Sequence, residues 1–302
     1  MEASLRNRLT FGPIMLGGLF LLLWLDHAAQ GWTRHWMHAR FGVAQGVGGI
    51  GLLILLAAVL PLATQELAIL FTAERIRPYR FIATAGSALL ILHAFLTQFP
   101  PFQVIAASTL AFIIVFIMLF AALRRAWVRK TQEAILKMAG TVLATLYLGG
   151  LAWFLMALRV KHSKGDHEFH GTTWTILSIL LMVKFTDIGA YFGGRALGRH
   201  KLIPWLSPGK TWEGLACGMF TAGLVGAACA PGLPNVPWWK GFLFGVIIGG
   251  IGQLGDLLES LMKRDAEVKD SGKLIPGFGG VLDVIDSPLL AAPFAYLLFS
   301  LA

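Results

Sequence analysis

Nine long apolar stretches divide this chain, each close to the ~20 residues a helix needs to cross the hydrocarbon core of a bilayer. They run over about 9–25, 43–64, 81–98, 102–123, 139–158, 174–193, 213–230, 241–261 and 288–302. The first and last are short, and the third and fourth are joined only by Phe99-Pro100-Pro101. Of the 302 residues, 56% are hydrophobic and 14% charged, against roughly 25% charged in soluble domains. The expected fold class is therefore all-α, a polytopic integral membrane protein with about nine transmembrane helices.

The cations between these stretches fix an orientation. One side holds Arg6, Arg8, Arg75, Arg77, Arg80, Arg124, Arg125, Arg129, Lys130, Lys137, Arg195, Arg199, Lys201, Lys210, Lys263, Arg264, Lys269 and Lys273, 18 in all. The other holds 6: Arg34, Arg40, Arg159, Lys161, Lys164 and Lys240. The N-terminus and the charged C-terminal loop are expected in the cytoplasm and the C-terminus outside. The net charge of +9 sits at membrane edges, which suits anionic lipid and anionic substrates rather than nucleic acid. Arg6 and Arg8 before an apolar run imitate a secretory signal. The run is longer than usual and Asp26-His27-Ala28-Ala29-Gln30 makes a poor cleavage site, so an uncleaved first span is expected. Cys217 and Cys229 fall in one span, about 18 Å apart along a helix, which rules out a disulfide between them.

Residues 1–160 carry charge only between spans and read as scaffold, whereas 161–302 read as the catalytic region, where ionisable residues enter the spans. Polar groups in hydrocarbon are costly and rarely kept without a role. Asp256, Glu259, Ser260 and Lys263 follow i, i+3, i+4, i+7 spacing and share one helical face. Such carboxylates could end a solvated helix or hold Mg²⁺ with phosphate oxygens. In Asp283-Val284-Ile285-Asp286-Ser287-Pro288, Ser287 is a good N-cap and Pro288 suits the first helical turn, so the last helix is expected to start there. Pro276-Gly277-Phe278-Gly279-Gly280 before it forms a turn whose amides could approach phosphate. Asp187 follows Lys184 by one turn, as a structural pair or as a substrate or metal contact. Gly209-Lys210-Thr211 imitates a P-loop, but Pro204 stands where the first glycine must be. A turn leading into a helix remains, with Lys210 and Thr211 as phosphate contacts. His27, His35 and His38, and His162, His167 and His170, read as exposed external-loop residues. Trp153, Trp174, Trp212, Trp238 and Trp239 read as interfacial anchors. The glycines Gly249, Gly250, Gly252 and Gly255 read chiefly as close helix packing.

Taken together, Ser260-x-x-Lys263-Arg264-x4-Lys269-Asp270 and Pro276-Gly277-x-Gly279-Gly280-x-x-Asp283-x-x-Asp286 resemble the signature of the phosphatidate cytidylyltransferases (CDP-diacylglycerol synthases). Asp187-x-Gly189-Ala190-Tyr191 and Ser207-Pro208-x-Lys210-Thr211-Trp212-Glu213-Gly214 resemble that family's other loops. The likeness covers about 184–288. It implies synthesis of CDP-diacylglycerol and pyrophosphate from CTP and phosphatidic acid with Mg²⁺, and in some members K⁺. It implies Asp256 and Asp283 as metal ligands and as catalytic residues alongside Lys263 and Arg264. Asp187, Ser207, Lys210, Thr211, Glu213, Ser260, Lys269, Asp270, Gly279, Gly280 and Asp286 would line the substrate site. The implied setting is a bacterial inner membrane with the site facing the cytoplasm, and a homodimer stays open. Two departures stand out, Phe278 where the family often has His and Val284 where it often has Arg. A CTP-dependent lipid-alcohol kinase and a secondary transporter are the rival expectations.

Orientation is directly measurable. A reporter active only in the cytoplasm should be active when fused in the loop near residue 130 and silent when fused after Leu301. The reverse pattern would overturn the cation count.

Overall fold

A computed structural model of the protein describes residues 2–129, 131–161, 171–272, 274–277 and 279–301. Lys130, Lys164, Lys273, Phe278, His162, His167, His170 and the side chains of Arg6 and Arg8 lie outside the described residues. The helices are α1 (Glu2–Phe41), α2 (Ile50–Ala73), α3 (Arg80–Leu96), α4 (Pro100–Gln103), α5 (Ala106–Trp127), α6 (Ala134–Thr145) and α7 (Leu151–Arg159). After them come α8 (Thr173–Leu197), α9 (Trp212–Cys229), α10 (Trp238–Asp265) and α11 (Leu282–Ser300). A π-helical turn, Leu146–Gly150, joins α6 to α7, so together they form one candidate span, Ala134–Arg159. Eight described helices are long and apolar enough to cross a membrane, and α3 is a ninth, shorter apolar helix. The protein is an all-α, multi-pass integral membrane protein.

The chain divides into two compact units, Met1–Val160 with Asp265–Val284, and Lys161–Arg264 with Ile285–Ala302. In the first unit, α1 runs far beyond the expected end near residue 25. It continues because Asp26, fully buried, meets the buried Arg159 of α7 at 2.5 Å (Oδ2 to Nε) and accepts the Gly51 amide at 3.2 Å. Arg159 also donates to Gln30 Oε1 at 3.0 Å. Burying a charge is tolerated when it is paired and hydrogen-bonded. Arg159 is therefore an interior residue and not the external-loop cation expected. His27, His35 and His38 are likewise helical residues of α1 and not loop residues.

The expectation that this half holds charge only between spans fails at a second place. Glu66 lies within α2, 6% exposed. His93 is buried in α3, where its Nε2 meets the Ala106 carbonyl at 2.9 Å and its Nδ1 accepts from Trp153 Nε1 at 3.0 Å. Trp153 thus has a hydrogen-bond partner within the helix packing. The Phe99-Pro100-Pro101 connection is longer than a bare hairpin, because the two prolines open the one-turn helix α4.

In the second unit small residues let backbones approach closely. A Cβ on Gly218 (α9) would lie 2.7 Å from the Thr186 carbonyl of α8, and one on Gly249 (α10) would lie 2.8 Å from Ala222 Cβ of α9. Phe244 of α10 packs edge-to-face on Phe299 of α11 at 5.0 Å. The turn expected before α9 is a short antiparallel hairpin, β1 (Lys201–Ile203) with β2 (Ser207–Thr211).

The buried Asp26–Arg159 pair yields a stability prediction. Arg159→Leu alone should cost about 3–5 kcal/mol, because it strands a buried carboxylate. The double change Asp26→Leu/Arg159→Leu should recover most of that loss. Denaturant titration of the detergent-solubilised protein checks this, and equal stability of the single variant and the parent would refute it.

Candidate active site

Helix α10 carries its apolar run as far as Gly255 and then presents Asp256, Glu259, Ser260 and Lys263 over its last turns. The shared face expected from their spacing is present. Ser260 Oγ approaches Asp256 Oδ1 at 3.5 Å, and Lys263 Nζ donates to Glu259 Oε2 at 3.0 Å. Asp286 of α11 completes a three-carboxylate cluster, in which one ligand atom from each of Asp256, Glu259 and Asp286 lies within 4.8 Å of the others. Gly255 permits this approach: a Cβ there would sit 2.9 Å from Ser287 Cα and 3.0 Å from the Asp286 carbonyl. Glu259 and Asp286 are buried, at 1% and 3% exposure, and Asp256 is half-buried.

Like charges 4.8 Å apart repel by about 3.5 kcal/mol at an effective dielectric of ~20. Two ammonium groups offset part of this, Lys263 on Glu259 and Lys210 Nζ, 2.7 Å from Asp256 Oδ2. Clustered hard oxygen donors of this kind fit a hard divalent cation such as Mg²⁺. Asp187 of α8 is held by Gln253 of α10, whose Nε2 donates to Asp187 Oδ1 at 2.6 Å.

The hairpin delivers Lys210. Its base is closed by Glu213 in the first turn of α9, which accepts the Arg199 amide at 3.1 Å and the His200 amide at 3.2 Å, with His200 Nδ1 2.6 Å away. Thr211 caps α9, its hydroxyl accepting the Gly214 amide at 3.1 Å. Both side chains thus have local structural partners, while Lys210 reaches the carboxylates. Ser207 opens β2, half-buried.

The loop 266–281 belongs to the first unit. Lys269 and Asp270 are exposed there, as is Arg264 at the end of α10. Ile275 and Gly279 exchange two backbone hydrogen bonds of 2.9 and 3.1 Å around Gly277, and both glycines adopt positive φ, +87° and +97°, where a side chain would be strained. Asp283 Oδ2 accepts the Gly280 amide at 2.7 Å and the Ser271 amide at 3.2 Å. The last helix does not begin at Ser287. It starts at Leu282, with Asp283 in its first turn and Pro288 inside it. The reason is Glu66, which accepts the Val281 amide at 3.0 Å and the Leu282 amide at 2.8 Å.

Glu66, Gln253 and the pairing of Asp286 with Glu259 are what reading the sequence alone missed. Glu66 had a usable signal, an acid two residues beyond an apolar run that proves to be helix to Ala73. Gln253 had almost none, since an amide among glycines usually reads as packing.

The chain is 43% identical over 145 residues to a phosphatidate cytidylyltransferase of Haemophilus influenzae, covering 46% of this chain and 50% of that protein. It is 44% identical over 146 residues to a phosphatidate cytidylyltransferase of Brucella melitensis, covering 47% and 52%. It is 38% identical over 154 residues to an uncharacterized protein of Escherichia coli, YnbB, covering 51% and 49%. The matched region spans about half the length of each of these curated relatives. The Cytidylyltransferase family model matches residues 28–302, nearly the whole chain including α8, α9, α10 and α11, and the chain therefore belongs to the cytidylyltransferase family.

Proposed function

We propose that the protein is a phosphatidate cytidylyltransferase, converting CTP and phosphatidic acid to CDP-diacylglycerol and pyrophosphate for phospholipid synthesis. The observation that carries this reading is the cluster of Asp256, Glu259 and Asp286 with Lys210 and Lys263 at the end of a membrane helix. Family membership and the names of the relatives support the same chemistry.

The nucleophile is the phosphate monoester of the lipid, whose second pKa of ~6 makes it largely dianionic at neutral pH. Such a group needs no general base, so no histidine is required where Phe278 stands. One lipid phosphate oxygen forms a bond to the α-phosphorus of CTP. The bond from that phosphorus to the α,β-bridging oxygen breaks, and pyrophosphate leaves with the electron pair. The obstacle is the repulsion between two polyanions, and catalysis is mainly positioning and charge neutralisation. Lys210, Lys263 and Arg264 are proposed to hold the triphosphate and the lipid phosphate. Asp256, Glu259 and Asp286 are proposed to hold Mg²⁺, which when bound supplies Lewis-acid neutralisation of phosphate charge. Asp283, in the glycine loop, stays in the proposal as a catalytic residue and metal ligand, as the family resemblance implies. Asp187, fixed by Gln253, is proposed as a substrate contact. CTP would enter from the cytoplasmic side of a bacterial inner membrane, and the diacyl substrate from the lipid.

Two measurements test this reading. Purified protein given CTP, phosphatidic acid and Mg²⁺ should release pyrophosphate, and Asp256→Asn or Asp283→Asn should reduce this by more than about 100-fold while the protein still inserts. Chelation of divalent cations should abolish turnover and Mg²⁺ should restore it. Formation of CDP with a phosphorylated lipid alcohol, or near-normal turnover of both variants, would reject the proposal.

Lys210→Gln should lower kcat/KM for CTP by about 10- to 100-fold, the loss expected for one charge-assisted hydrogen bond of ~1.5–3 kcal/mol. Steady-state kinetics at saturating lipid reads this, and an unchanged kcat/KM would remove Lys210 from the site.

A further inference from the structure

We infer that Glu66 is a positioning residue for the segment 271–282 that leads into Asp283, tying both ends of that segment to helix α2. Glu66 stands within the apolar helix α2, far from any other feature of the proposed chemistry in sequence. Its Oε1 accepts the Val281 amide at 3.0 Å, and its Oε2 accepts the Leu282 amide at 2.8 Å and the Ser271 hydroxyl at 3.3 Å. Val281 and Leu282 stand at the start of α11, where backbone amides have no partner within the helix and favour negative charge. Ser271 stands at the opposite end of the segment 271–282 and is itself buried.

The surroundings are shaped around this carboxylate. A Cβ on Gly272 would collide with the Glu66 carboxyl group, and one on Gly280 would lie 2.6 Å from Glu66 Oε2 and 2.8 Å from the Gly272 amide nitrogen. The loop ends can converge only because both positions lack a side chain. Asp283 depends on the same convergence, because its Oδ2 takes one amide from each end, Ser271 and Gly280. Glu66 holds the two ends together, and Asp283 is oriented by the amides those ends supply. Loss of the Glu66 carboxylate therefore loosens the direction of Asp283 without removing any group that touches substrate. This inference rests on the reading of Asp283 as a catalytic carboxylate.

The test uses the full chain in detergent, with Glu66→Gln as the first variant. The amide NH₂ of Gln would face backbone donors and cannot accept from them. Hydrogen exchange over 271–284 is expected to quicken about 10-fold or more, with exchange in α3 and α8 unchanged. kcat for pyrophosphate release is expected to fall about 10- to 100-fold, with KM for CTP within about 2-fold of the parent. Should Glu66→Gln fail to accumulate, Glu66→Asp, one methylene too short to reach both ends, is expected to give the same pattern. Unchanged exchange over 271–284 in the folded variant would overturn the inference. So would a loss of kcat that merely tracks loss of folded protein. If the parent protein releases no pyrophosphate, the exchange measurement still decides the loop contact. Fast exchange would then support the clasp and sink only the proposed reaction.

Discussion

A charge placed among apolar helices must find its compensation inside the protein, because neither lipid nor a packed interior can solvate it. Each unit meets this requirement in its own way. In the first, Asp26 and Arg159 neutralise one another, with the Gly51 amide donating to Asp26 and Gln30 accepting from Arg159. Among the described residues, Glu66 is compensated by two amides and a hydroxyl. In the second, three clustered carboxylates meet Lys210 on Asp256 and Lys263 on Glu259. The first arrangements account for themselves as architecture. The last gathers three carboxylates at one point, the arrangement on which the proposed cation site rests.

The same requirement explains which parts of the fold could be read from residues alone. Apolar runs reported the number of helices well, since length and hydropathy are local properties. Helix ends were read from charge, and here the reading went wrong wherever a charge had a distant partner. Asp26 looked like the end of the first span, yet its partner Arg159 lies 133 residues away. Ser287-Pro288 carried a sound local start signal for α11. It was outvoted by Glu66, whose bond to the Leu282 amide spans 216 residues. No window of neighbouring residues contains that information.

The candidate site was legible in the same uneven way. The helical spacing of Asp256, Glu259, Ser260 and Lys263 follows from periodicity, and the structure keeps them on one face. The arrival of Lys210 at Asp256 depends on a hairpin that the turn signals did not announce as strands. Thr211 and Glu213 carry the residue types of a phosphate site, but their polar atoms bond to local partners, one capping α9 and the other closing the hairpin. Residue type alone could not separate a side chain that would meet substrate from one that aims its neighbour.

Catalysis by positioning needs its groups fixed to within a fraction of an ångström, and in the second unit that precision comes from small residues. Gly218 and Gly249 bring α8, α9 and α10 into near backbone contact, and Gly255 does the same for α10 and α11. Helices packed this closely have little freedom to slide, so the groups they carry inherit a fixed spacing. Asp187 is held by Gln253 from α10, and Asp286 is held beside Asp256 and Glu259. The glycines that a sequence reading assigns to packing, and the carboxylates it assigns to chemistry, are therefore one device: without the close backbone approach at Gly255, the side chains of two separate helices could not share an ion-sized space.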